Sequence, residues 1–409
     1  MVFDTVFSRS QFPHQAWDIA FFENAGGTFV PNTVISRLTD YMTESQVQPG
    51  ANFPKSKLAE SRMSLGHSLV AQMLAVPDNE IVISASTSMN VYVLAKALRH
   101  HWKRGDEIII SQLNHEANSG PWRCLEEYGL KIIEWPIDPE LGEMSVSELE
   151  NLLSDKTRLV AFPHVSNITG TINDIELITK KVHSVGGLVC VDGVAYAPHR
   201  MIDVKKWDVD FYLFSFYKVF GPHLGCLYGK EKHLTEAKGQ YHYFVDEKNT
   251  SLKLNPAGPD HASISALAGI ADYFEILSNH HFNSPKNTLF ENVKSVYELT
   301  ETHEESLSKK FLDFLLTKSN IRVLGKHTWS KKSRCATFSI TSNKKKSAEI
   351  SKLVGEDKVG IGSGHFYAKR VVQELGVSDP DDGVVRCSMA HYNTKEEVDL
   401  LIKSLDKIL

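Results

Sequence analysis

Asp210-Phe211-Tyr212-Leu213-Phe214-Ser215-Phe216-Tyr217-Lys218-Val219-Phe220-Gly221-Pro222-His223 is an apolar, strand-like run that closes on a lysine and breaks at once into a Gly-Pro turn. A lysine at the end of a buried strand is costly to keep charged; burial lowers its pKa and makes the amine nucleophilic. A lysine that forms a Schiff base needs that property. Upstream, Leu188-Val189-Cys190-Val191-Asp192-Gly193 is a second short apolar strand ending in a carboxylate. Together the two ends fit a pyridoxal phosphate (PLP) site, with Asp192 pairing the pyridinium nitrogen and Lys218 holding the aldehyde. Each residue alone has a plainer reading: a lysine before Gly-Pro is commonly solvated, and a strand-end Asp is a turn former.

Similar short apolar runs lie along the chain at Glu80–Ser84, Glu107–Ser111, Lys131–Trp135, Arg158–Pro163 and Leu224–Tyr228. Helical patterns sit between most of them, near Met89–Trp102, Trp122–Tyr128, Ser145–Ser154 and Asp174–Val185. Alternating βα units with continuously apolar strands predict an α/β fold, a mostly parallel seven-stranded sheet covered on both faces. Ligands of such sheets bind outside the carboxyl ends of the strands. From about residue 265 the pattern changes to long helices (Ser265–Leu277 and Leu289–Ser319). Strands at Ile321–Leu324 and Arg334–Ile340, a helix near Ser347–Leu353, a loop at Val359–Tyr367 and a last helix at Thr394–Leu409 follow. This pattern predicts a large domain over residues 20–265 and a smaller C-terminal α+β domain over 266–409, with residues 1–19 packing on the latter.

The 409 residues are 42% hydrophobic and 23% charged with a net charge of −5, which suits a globular enzyme and gives no basic face for nucleic acid. Lys331-Lys332 and Lys344-Lys345-Lys346 are short runs that read as solvated loops. Cys124, Cys190, Cys226, Cys335 and Cys387 are dispersed without metal-ligand spacing. They read as reduced thiols of a cytoplasmic protein that binds no metal. No secretory signal and no membrane-length apolar run is apparent.

Further segments extend the constellation around Lys218 into a set of roles. Ser86 and Thr87 follow a strand and open a helix, which suits a phosphate, although N-capping alone explains them. His115, in Asn114-His115-Glu116-Ala117-Asn118, could stack on a flat cofactor or be a surface histidine. Asn167, in Pro163-His164-Val165-Ser166-Asn167, could donate to a phenolate oxygen or simply shape a turn. Arg386, in Val385-Arg386-Cys387-Ser388, could clamp a carboxylate or form a structural ion pair.

These segments, with Asn24-Ala25-Gly26-Gly27-Thr28, Tyr217-Lys218-Val219-Phe220-Gly221-Pro222 and Tyr392-Asn393-Thr394-Lys395-Glu396-Glu397, resemble the class V aminotransferase family. More narrowly they resemble its cysteine desulfurase-like branch, collinearly from about residue 20 to the C-terminus. The resemblance implies a fold type I PLP-dependent homodimer acting on an amino acid. It implies that Lys218 binds the cofactor aldehyde, Asp192 pairs the ring nitrogen, His115 stacks on the ring and Asn167 meets the ring oxygen. Ser86, Thr87, Ser215 and Tyr217 would hold the phosphate. Arg386 would take the substrate carboxylate, with Asn24, His365 and Tyr367 beside the substrate.

The departures from the family bear on function. Where desulfurases of this branch carry the loop cysteine that accepts sulfur, the stretch Gly362-Ser363-Gly364-His365-Phe366-Tyr367-Ala368 places Tyr367, and a phenol forms no persulfide. Tyr217 replaces a histidine before the lysine, Ala195 replaces a polar residue after Asp192, and Pro259 stands where a threonine would meet the partner's phosphate. The expectation is a C–S lyase working by β-elimination without a persulfide, with an aminotransferase or epimerase as the other reading, and a scaffold that has lost catalysis as a third. Specificity is expected from loops near Ala51–Ser61, Tyr241–Pro259 and Gly362–Arg370.

Overall fold

The computed structural model describes residues 2–283 and 286–409. Seven strands form the central sheet: β1 (Ile81–Ser84), β2 (Glu107–Ser111), β3 (Lys131–Trp135), β4 (Thr157–Pro163), β5 (Leu188–Asp192), β6 (Phe211–Ser215) and β7 (Gly225–Gly229). Their order is β1-β7-β6-β5-β4-β2-β3, and β7 alone runs antiparallel to its neighbours. The α/β architecture with a mostly parallel seven-stranded sheet is therefore as expected from the apolar runs.

The reason is visible in the packing. Val160 and Phe162 of β4, Val189 and Val191 of β5 and Tyr212 and Phe214 of β6 enter one core, while Leu159, Ala161, Cys190, Phe211 and Leu213 enter the core on the opposite face. Alternate side chains point to opposite faces of a strand, so a sheet buried on both sides leaves no polar position to break the run.

A second, antiparallel sheet follows: β8 (Ile321–Leu324), β9 (Thr337–Ser342), β10 (Gly362–Gly364) and β11 (Val384–Ser388), in the order β10-β11-β9-β8. The helices Leu289–Leu316 and Lys395–Ile408 cover it, sharing a core of Leu307, Phe311, Leu312, Phe338, Ile340, Val385, Leu401 and Leu405. Both helices open with a capping box, Thr288 with Glu291 and Thr394 with Glu397. The first residues lie against these elements. Ser8 Oγ and Tyr273 Oη are 2.9 Å apart, and Arg9 Nη1 donates to Glu397 Oε1 at 2.7 Å. Ala20–Phe21 pairs in parallel with Val359–Gly360.

Three expectations are corrected. The strand expected at Arg334–Ile340 begins at Thr337, because Arg334 is buried in a turn and donates to the Thr337 carbonyl at 3.2 Å. The segment Ala51–Ser61 is not a loop, since a helix runs over Pro54–Met73. Its buried positions are Ser56, Ala59 and Gly66 in the first part and Val70, Ala71 and Met73 near the end, so the first part packs through small residues; a Cβ on Gly66 would lie 2.0 Å from the Ile264 carbonyl oxygen. Short helices also occupy Thr250–Lys253 and Lys369–Glu374, inside the other two expected loops. Among the described residues, no helix is long and apolar enough to cross a membrane, and no cluster of potential metal ligands occurs.

Candidate active site

The carboxyl ends of β1, β2, β4, β5 and β6 converge on one cleft. Eight of the residues expected there line it: Ser86, Thr87, His115, Asn167, Asp192, Ser215, Tyr217 and Lys218, with Ser88, Val165 and Ala195 between them.

Ser86 caps the helix Thr87–Leu98 by accepting from Met89 N–H, and it also lines the cleft. Thr87 Oγ1 and Ser215 Oγ lie 2.7 Å apart, tying the helix start to the end of β6. Close approach of β7 makes this possible, because a Cβ on Gly225 would lie 2.2 Å from Thr87 N. A helix N-terminus flanked by hydroxyls favours an anion.

His115 is held by its own loop. Nδ1 accepts from Ala117 N–H, and the neighbouring Asn114 amide donates to the Ala161 carbonyl of β4 at 2.8 Å. Burial, with the Lys218 and Arg386 cations adding to it, holds the imidazole down to about 3. It is therefore a neutral ring at physiological pH and suits stacking rather than ion pairing.

Asp192 is buried and accepts from Val194 N–H at 2.9 Å. Burial raises its pKa, opposed by that hydrogen bond and by Lys218. Lys218 is also buried, and its pKa falls to about 8 because of burial first and the Arg386 cation second, against Asp192 and Glu23. Among the described residues, its amine makes no hydrogen bond. The amine is still mostly protonated at neutrality, but its free base is far more populated than that of a solvated lysine, as a carbonyl-binding amine requires.

The replacements near the cleft have structural consequences. Tyr217 stacks on His223 with ring centroids 4.5 Å apart. Tyr196 turns away from the cleft and stacks on His164 at 3.5 Å, leaving Ala195 as the lining residue. Cys190, Cys226, Cys335 and Cys387 are buried and Cys124 is exposed, and none lines the cleft.

Four expected residues are not among the lining. Asn24 was expected beside the substrate, but its amide is consumed by the fold. Nδ2 donates to the Ser388 carbonyl at 2.8 Å, and Oδ1 accepts from Tyr392 Oη. His365 lies at the mouth of the loop with a buried, unpartnered Nδ1. Tyr367 is 75% exposed, with its ring 5.8 Å from that of His115. Arg386 is buried against Glu23 and under the ring of Phe366, at 3.6 Å from its centroid. Glu23 and Phe366 were missed by the sequence reading. Glu23 adjoins a quoted motif and Phe366 lies inside another, but the role of Glu23 depends on a contact across 363 residues.

The residues present fit PLP. The helix N-terminus with its hydroxyls suits the phosphate, Asp192 the pyridinium, neutral His115 the ring face and Lys218 the aldehyde. Asn167 Oδ1 is buried without a partner, and its Nδ2 donates to the Phe366 carbonyl at 3.0 Å. This fold and this pairing of lysine with aspartate define a fold type I PLP-dependent enzyme. The chain belongs to the class V aminotransferase family, whose model it matches over residues 20–401. It is 37% identical to the aminotransferase-like protein FGM3 of Gibberella zeae, over 98% of this chain and 97% of that protein. It is 32% identical to the cysteine desulfurase-like protein ustD of Aspergillus flavus, over 100% and 91%. Among solved structures, the Escherichia coli cysteine desulfurase CsdA superposes with a TM-score of 0.82 at 25% identity, covering 100% of this chain and 98% of that one.

Proposed function

We propose that this chain holds PLP on Lys218 and acts at Cα and Cβ of an amino acid as a C–S lyase that forms no persulfide. The observation that carries the reading is the pairing of an intact Lys218–Asp192 site with Tyr367 in the loop and no cysteine lining the cleft. When bound, PLP supplies an electron sink for charge developing at Cα. Asp192 keeps the ring nitrogen protonated. His115 covers the ring face as a neutral imidazole. Ser86, Thr87, Ser215 and the helix N-terminus hold the phosphate. Arg386 binds the substrate carboxylate. Lys218, with its amine free, would take the Cα proton. The electron pair left at Cα would form a Cα–Cβ double bond as the Cβ–S bond breaks with its pair on sulfur, and the proton held by Lys218 would pass to the departing thiolate to give a thiol. Hydrolysis of the remaining fragment gives pyruvate and ammonia.

The same reading makes the protein a homodimer, which the exposed Tyr243 and Phe244 support as apolar surface in want of cover. Its dispersed free thiols support a reducing compartment such as the cytoplasm. Incubation of the PLP-loaded protein with L-cysteine and L-cystine tests the chemistry. Pyruvate is the expected product, and alanine would mean sulfur transfer and overturn it. Turnover of neither substrate would move the assignment to transamination or epimerisation of another amino acid.

A further inference from the structure

Arg386 is 2% exposed, and both of its terminal nitrogens are engaged. Nη1 donates to the Asn167 carbonyl at 3.2 Å and Nη2 to Glu23 Oε1 at 2.5 Å, while the Phe366 ring covers one face. The pairing with Glu23 is incomplete. Among the described residues, Arg386 Nε and Glu23 Oε2 are both buried and without partners. An arginine–carboxylate pair is strongest when two parallel bonds form, and here one is made. Glu23 is also the more exposed partner, with its side chain 24% accessible.

Glu23 is seated where the N-terminal segment meets β11, through a parallel bridge to Ser388. Its carboxylate lies over Gly362 of β10, where a Cβ would come within 2.5 Å of Oε2. The strand β10 leads directly into the loop carrying Phe366 and Tyr367, which have φ of +49° and +56°. L-residues avoid this backbone region. The loop is kept shut by Asn167 Nδ2 on the Phe366 carbonyl and by Glu116 N–H on the Tyr367 carbonyl at 2.8 Å.

We propose that Glu23 is an internal competitor for the carboxylate clamp. It occupies Arg386 while the site is empty, and the α-carboxylate of the incoming amino acid exchanges for it on the Nε–Nη2 edge. Glu23 is thus an affinity-determining residue that disfavours any ligand unable to replace one bond with two. This rests on Arg386 as the substrate clamp.

The test uses the PLP-loaded protein and propionate, a carboxylate with no amine to react, with its Kd measured by calorimetry. Glu23→Gln keeps the shape and removes the competing charge, and about tenfold tighter propionate binding is expected. Glu23→Asp, whose shorter side chain withdraws from Nη2, should also bind more tightly, which guards against a folding defect in the first variant. Binding equal to or weaker than wild type in both variants overturns the proposal. Arg386→Lys separates it from the parent reading. If Arg386→Lys leaves wild-type propionate binding intact, the clamp assignment itself fails. If it abolishes binding yet Glu23→Gln brings no gain, Glu23 alone is wrongly assigned.

Discussion

Replacing Lys218 with methionine in the cofactor-free protein removes a buried ammonium and leaves an apolar side chain of similar length. The fall of its pKa from 10.5 to about 8 comes from burial and from Arg386, net of the attraction of Asp192. At about 1.36 kcal/mol per pKa unit, holding the charge in the folded state costs about 3 kcal/mol. Below pH 8 the amine is protonated in both folded and unfolded chains, and the whole penalty is present. Between pH 8 and 10.5 the unfolded chain binds more protons than the folded one, so wild-type stability rises with pH and the penalty is relieved. Lys218→Met should therefore be more stable than wild type by about 3 kcal/mol at pH 6.5, with the advantage shrinking across that window. Urea denaturation of both proteins at pH 6.5, 8.5 and 10 measures it, because contributions of other titrating groups cancel in the difference. An advantage that does not vary with pH would mean that Lys218 titrates as a solvated lysine, and the argument for its nucleophilicity would fall.

Asp192→Asn should retain PLP, detected by its visible absorbance, but lower turnover on the order of a hundredfold, as loss of an electrostatic stabiliser does; unchanged turnover would remove Asp192 from the mechanism. Gly225→Ala should cost about 3 kcal/mol by overpacking and weaken PLP binding, since the new Cβ meets the start of the phosphate-side helix; a melting curve and a PLP titration report both effects. Tyr367→Phe should change turnover by less than about threefold, because the phenol is exposed, whereas a general acid would cost about a hundredfold or more. The His115 imidazole, held down to about 3, should stay neutral throughout the working range. An imidazole titration followed by NMR should show no change of charge for this residue between pH 5 and 8.

The central sheet was legible because its inner strands are buried on both faces and read as apolar runs, while the edge strand β3 keeps Lys131 and Glu134 exposed; β2, β3, β5 and β6 fall at the expected bounds. Lys218 and Asp192 were legible for the same reason: a charge closing an apolar strand stands out. The start of the helix Pro54–Met73 was not, since its buried positions there are Ser56, Ala59 and Gly66, which leave no apolar periodicity to see; Val70, Ala71 and Met73 are buried only near its end. Asn24 illustrates the opposite error. A polar residue in a recognisable motif reads as a ligand-binding group, but its amide is spent on joining the N-terminal segment to β11. Arg386 was placed correctly as a strand residue, while its partner Glu23 was invisible because nothing local in sequence couples the two positions.

That join has a bearing on how the protein comes off the ribosome. Glu23, Asn24 and Ala25 find their partners in Arg386, Ser388 and Asn393, so an early-synthesised segment is completed by one synthesised more than three hundred residues later. The central sheet can assemble while translation proceeds, but its amino-terminal flank must wait, unattached, until the final strand and helix emerge. Contacts of such long sequence separation close slowly, and domains generally form in order of synthesis. Newly made chains should therefore pass through an interval in which Lys218 already sits in its cleft but the substrate clamp has yet to be assembled.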